Sequence, residues 1–173
     1  FKEGDDTDWS GFGFEMTFRL KKTAERPPVW PCNLLQNLAR YVFKTGNTFE
    51  PGHSLNANGP IAAGEDTALT CLVFAEDPQL GTIETPHGKV QFVQAVGITE
   101  SEKALAASWN GDGLVALLQG DSEHLVTDLG RADGSERKDW ARIADEGRAK
   151  EGSSMGTTFA TQLTVVVKGL LKK

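Results

Sequence analysis

The sequence predicts an α+β fold in a single domain over residues 1–173, with a mixed, mostly antiparallel sheet and helices packed on it. Three observations predict it. Phe12, Phe14, Met16, Phe18 and Leu20 alternate with Gly13, Glu15, Thr17 and Arg19, a period of two that puts the apolar side chains on one face of a strand. Leu34, Leu35, Leu38, Tyr41 and Val42 then repeat at helical spacing. Beyond them, hairpin and helix patterns mix without regular βαβ repetition. At 173 residues and 39% hydrophobic content, the chain is long enough to bury a real core.

The elements follow in order. The first strand runs into a basic linker that Pro27-Pro28 stops, and Trp30-Pro31 opens the first helix. Residues 46–67 read as a long loop, rich in Gly, Asn and Pro, and loops of that length are usually functional or mobile. Residues 68–76 read as a buried strand, and 80–85 with 89–98 as a hairpin. Its turn, Thr85-Pro86-His87-Gly88, has Pro where φ must lie near −65° and Gly where φ can turn positive. Thr99 and Glu102 form a capping box, so a helix starts there and runs to Trp109. Asn110-Gly111-Asp112-Gly113 breaks it, and a short helix follows through Leu114, Val115, Leu117 and Leu118. A strand is expected over 124–129, a helix over 136–150, and a last strand carrying Phe159, Thr161, Leu163, Val165 and Val167 on one face.

Composition narrows the partners. A net charge of −6 argues against a nucleic acid or an anionic membrane, which need a concentrated basic surface. The basic clusters at residues 19–22 and 168–173 read as solvated strand and tail ends. No apolar run approaches the roughly 18–20 residues that span a bilayer. The chain starts at Phe1 without an apolar signal core, so nothing in it directs secretion. Cys32 and Cys71 read as reduced, mostly buried thiols, which fits a cytoplasmic protein.

Catalytic signatures are missing. There is no phosphate-binding loop, no Gly-x-Ser-x-Gly and no CxxC pair, and His53, His87 and His124 lie far apart. No metal or cofactor is therefore expected. Gly11-Phe12-Gly13 sits inside a strand, where paired glycines fit a bulge or a close backbone approach better than a nucleotide. Asn110-Gly-Asp112-Gly lacks the alternating oxygen ligands of a calcium loop and reads as a helix break with a cap. An alternative reading keeps a hydrolase-type site around His53, His124 and nearby carboxylates. Tyr41 has two readings, core packing with its hydroxyl at the rim or an interface anchor. The tryptophans read as core, with Trp30 half exposed at the helix entrance.

The wording of several segments resembles the Suppressor of fused (SUFU) domain family. The blocks are SGFGFE-TFRL, PP-WP, NLL--LARYVF, NTF, AEDPQL, the TPHG turn with VQFVQAVGIT, SWNGDGLVALL, LVTDL and EGSSMG. They occur in the family's order over roughly residues 9–165, and none is a catalytic signature. The resemblance implies a non-enzymatic protein-binding module. Animal members repress Hedgehog signalling by binding Gli-type transcription factors, a short peptide adding as a strand between two domains. The family site includes the tyrosine of ARYVF, here Tyr41, and an acid after the glycine of the next loop. That loop reads Phe49-Glu50-Pro51-Gly52-His53, so His53 stands at the acid's position. The expected protein-binding residues are Tyr41, Phe49, Gly52 and His53, with Trp30 beside them. Family members carry a further N-terminal segment before the GFGFE strand, so the chain reads as a fragment. Its length, His53 and the alanines at 62, 63, 104, 106 and 107 point to a bacterial homologue, for which the resemblance implies a toxin-immunity role rather than Hedgehog repression.

Overall fold

The central strands of the sheet are buried on both faces, and that decides where every other element packs. The computed structural model describes residues 8–151. Its strands are β1 (Trp9–Phe18), β2 (Ser54–Asn56), β3 (Cys71–Glu76), β4 (Thr82–Thr85) and β5 (Gly88–Ile98). Its helices are α1 (Trp30–Thr45), α2 (Glu100–Ser108), α3 (Gly111–Asp121) and α4 (Lys138–Glu151), with a 3-10 turn at Gly134–Glu136. The sheet order is β1-β5-β3-β2, and β4 also pairs with β5. β1 runs parallel to β5, and the other three pairings are antiparallel.

Period two sorts β3 and β5 between two layers. Cys71, Val73, Ala75, Val96 and Ile98 face Trp109, Leu114, Leu117, Leu118 and Trp140 on the α2–α4 side. Leu72, Phe74, Val93 and Ala95 face Leu38, Tyr41 and Val42 of α1. Burial on both faces explains why LTCLVF is a continuous apolar run rather than an alternating one. β1 alternates because its Phe12, Phe14, Met16 and Phe18 join the α1 layer while Thr17 and Arg19 join the other side.

The helix ends follow local chemistry. Pro31 sits in the first turn of α1, and Gly46 closes it at φ 75°, donating its N–H to the Val42 carbonyl. The Thr99–Glu102 capping box is formed in both directions. The β4–β5 turn is tight, with Gly88 at φ 111° and the Trp9 and Ser10 backbone where its Cβ would stand.

Four expectations change. The 46–67 loop contains β2, which extends the sheet through Leu55 opposite Leu72. The 124–129 stretch forms only a single parallel bridge, Leu20 to Thr127, because Leu125 has φ 52° and breaks the extended run. The expected break falls at Trp109 and Asn110, and residues 111–113 already form the first turn of α3, capped by the Asn110 side chain on the Gly113 N–H at 2.5 Å. Cys71 is buried, but Cys32 is exposed, because the first turn of α1 points it away from the sheet. The expected strand with Phe159 and Leu163 lies outside the described residues.

Candidate functional site

The loop after α1 is fixed by an aromatic stack. Phe49 lies between Tyr41 and Phe74, with ring centroids 5.7 and 4.3 Å away and near-parallel planes. Tyr41 is 1% exposed, and its hydroxyl accepts a hydrogen bond from Asn47 Nδ2 at 3.1 Å. Of the two readings of Tyr41, the structure shows the packed one. Its ring supports Phe49 from beneath, and Phe49 is itself buried. Trp30 is half-buried at the start of α1, edge-on to Phe18 at 5.4 Å.

Past Phe49, the chain turns through Pro51 and Gly52. Gly52 has φ 82° and donates its N–H to the Phe74 carbonyl at 2.9 Å. The His53 carbonyl then accepts from the Phe74 N–H at 2.9 Å, which leads into β2. His53 Nδ1 accepts the Glu50 N–H at 3.2 Å, closing the turn on itself. Tyr41, Phe49, Gly52 and His53 therefore belong to one structural unit, while Trp30 stands at the other end of α1.

A cleft of about 490 Å³ opens beside this unit, between the 48–51 loop and β1. Its walls include Trp9, Phe12, Phe14 and Phe49, with Glu50 and Gln91 as polar members. The opening exists because β1 leaves register: Trp9 pairs with Lys89, but Phe14 pairs with Gln91. Gly11 at φ 61° and Gly13 at φ 83° carry the bulge, and the Trp9 ring lies alongside Gly13, 3.5 Å from where a Cβ would stand. Trp9 remains 41% exposed, and Phe43 of α1 is 75% exposed, edge-on to Phe12. Among the described residues β1 is also an end strand of the sheet. The glycine pair in the sequence marked the bulge. Nothing in the sequence marked Trp9 as its wall, and it reads there as one more core tryptophan.

The opposite face of the sheet carries buried charge. Asp77 accepts from Arg19 at 2.7 and 2.8 Å, from the Thr17 hydroxyl at 2.7 Å, and from the Gln79 and Leu80 N–H groups. Burial alone would push the Asp77 carboxyl up. The guanidinium, the hydroxyl and the two backbone donors outweigh it and hold it well below the usual carboxylate range. Arg19 also bonds Gln94, whose amide donates to the His124 and Leu125 carbonyls. Arg131 and Glu102 form a second such pair that also fixes Gly134 and the Gly97 carbonyl. These groups tie β1, β5 and the 122–134 segment together.

The two histidines of the hydrolase reading belong to different segments. His53 sits in the turn before β2, while His124 Nε2 lies 3.5 Å from Gln79 in the β3–β4 turn. No group of three His, Cys, Asp or Glu side chains among the described residues could hold a metal ion. A second cleft, of about 430 Å³, lies on the α3 side. Its Lys21 is paired with Asp128, its Arg131 with Glu102, and its Arg137 with Asp121. No helix among the described residues is long and apolar enough to cross a membrane.

Comparison with known proteins agrees with this architecture. The family model described as Suppressor of fused protein (SUFU) matches residues 2–132. The human and mouse Suppressor of fused homologs are each 42% identical to this chain over 130 residues, which is 72% of the chain but 27% of the relative. The chain thus spans about a quarter of the length of those relatives. The crystal structure of Drosophila Suppressor of Fused superposes with a TM-score of 0.78 at 35% identity, covering 84% of this chain and 38% of that one. The structure titled the Sufu-Fu complex does so with a TM-score of 0.73 at 35% identity, covering 84% of this chain and 65% of that one. With a family model matching well over half its length, the chain belongs to the Suppressor of fused family.

Proposed function

We propose that this chain is a non-enzymatic protein-binding module that holds an extended segment of a partner protein along β1, over the cleft beside the 48–51 loop. The observation that carries the reading is the register break in β1, which leaves an aromatic-walled cleft at a sheet edge. A strand edge supplies backbone donors and acceptors, and pockets for alternate side chains supply selectivity. Trp9 and Phe43 are exposed apolar surface next to that edge, of the kind that marks interaction sites. The relative solved as a Sufu-Fu complex is itself captured with another protein, which supports the same class of role here.

On this reading the residues taken from the resemblance divide by task. Phe49 and its neighbour Glu50 line the cleft, Gly52 and His53 set the shape of the loop, and Tyr41 acts from below by stacking on Phe49. Trp30 extends the apolar surface at the far end of α1. The module would sequester or neutralise its partner, as a cytoplasmic immunity-type protein does, rather than act on it chemically.

The test is affinity capture from lysate of the source organism with three forms of the protein. A Trp9→Ala, Glu50→Ala double variant is expected to lose the partner while remaining folded. Tyr41→Phe, which keeps the stack, is expected to retain it. Equal capture by all three forms would move the interface elsewhere.

A further inference from the structure

The recognition loop is supported from a direction the cleft does not reveal. Gly111, the first residue of α3, stands so close to Gly52 that a Cβ on it would fall inside the Gly52 carbonyl oxygen. On the other side, a Cβ on Gly52 would meet the Asp112 carboxylate at 2.9 Å. The start of α3 therefore presses backbone on backbone against the turn that shapes the cleft.

What fixes that start lies further away. Asn110 caps α3, and its amide Nδ2 donates to Glu151 Oε2 at 3.0 Å. Trp109 Nε1 donates to the same oxygen at 3.2 Å. The Trp109 ring is held between Gly113 of α3 and Gly147 of α4, each without a side chain where the indole passes. One carboxylate on the last turn of α4 thus anchors the two residues that precede Gly111. The glycines of SWNGDGL and the Gly147 of α4 are the residues that permit this stacking.

We infer that Glu151 and Trp109 are positioning residues for the loop at Gly52–His53, holding it through Asn110 and Gly111 without touching the cleft. The chain of contact is continuous: Glu151 to Trp109 and Asn110, Asn110 to the α3 start, Gly111 to Gly52. Such a series conveys a disturbance only if its members move together, which is measurable. The term recognition loop rests on the proposed function. The positioning role does not, and it is measured on the protein alone.

The experiment is amide hydrogen exchange by NMR on the free protein and four variants. Glu151→Ala removes both hydrogen bonds to the shared oxygen, Trp109→Phe removes one, and Glu151→Gln keeps an acceptor there. Glu146→Ala, on the same helix and in an exposed pair with Arg142, is the control. The Gly52 amide is the reporter, because it is bonded to the Phe74 carbonyl. Its exchange is expected to quicken at least ten-fold in Glu151→Ala and Trp109→Phe, less in Glu151→Gln, and not in the control. The amides of β5 are expected to keep their rates. Unchanged exchange at Gly52 in both main variants would overturn the inference. So would a rise at Gly52 matched across β5, since that is loss of global stability rather than of loop support.

Discussion

The two faces of one sheet are held by opposite chemistry. On the α1 face, Phe74 of β3 supports a stack of Phe49 and Tyr41, and the cleft opens at its margin. On the α2–α4 face, the same strands carry an apolar centre bordered by two buried arginine–carboxylate pairs, Arg19 with Asp77 and Arg131 with Glu102. The aromatic face tolerates small changes of shape, since its members are held by dispersion and area. The charged face does not, because each carboxylate there serves several donors at once. The difference teaches that the groups whose single loss is expected to cost most lie away from the cleft, while the contacts beside it are smaller one by one.

The largest expected effect breaks the charged face. Asp77→Ala leaves Arg19 without its carboxylate at a side chain only 20% exposed, and is expected to cost about 3–5 kcal/mol in urea unfolding. Replacing both partners, Arg19→Met with Asp77→Leu, is expected to recover only part of that loss, because the Thr17 hydroxyl and the Gln79 and Leu80 N–H groups still lose their acceptor, and a double-mutant cycle reads the pair's share directly. The same pair sets an acid limit. The Asp77 carboxyl is depressed in the folded state, so its contribution is complete above the unfolded value of roughly 3.9 and is lost as pH falls below it. Stability measured from pH 6 down to pH 2 is expected to fall more in the wild type than in the Arg19→Met, Asp77→Leu form.

Next comes the aromatic face. Phe49→Leu keeps apolar volume but removes both stacked contacts, and about 1–2 kcal/mol is expected by thermal unfolding. Tyr41→Phe removes only the bond from Asn47 and is expected to cost about 1 kcal/mol. A loss above about 3 kcal/mol from either would make this face as unforgiving as the other and dissolve the contrast. At the small end, Arg142→Ala breaks an exposed i,i+4 pair with Glu146 on α4 and is expected to change stability by less than about 0.5 kcal/mol.

The aromatic face was the more legible in the sequence. Alternation in β1 and the helical spacing of Leu38, Tyr41 and Val42 are local signals, so they place residues on faces without knowledge of the fold. The charged face was not legible, since Arg19 and Asp77 are 58 residues apart and Glu102 and Arg131 are 29 apart. Glu102 was read as half of a capping box, which it is, but its second task with Arg131 has no local signature. Asn110-Gly111-Asp112-Gly113 reads as a helix break with a cap, and the break falls at Trp109–Asn110, but both glycines lie inside α3, where glycine weakens a helix. Packing against Gly52 and Trp109 requires the missing side chains and overrides that weakness. For the candidate site, the resemblance pointed to the 49–53 loop. Only the register of β1 against β5 showed that the loop faces a cleft, and that Trp9 forms its wall.

The central claim is that the cleft beside β1 receives the partner. Site-specific photo-crosslinking tests it most directly, with the reactive residue placed at Gln91 inside the cleft or at Ala104, exposed on α2 across the sheet. The claim predicts strong crosslinks from position 91, mapping by mass spectrometry to one short segment of the partner, and background levels from position 104. Crosslinks from 104 alone, or equal yields from both positions, would contradict it.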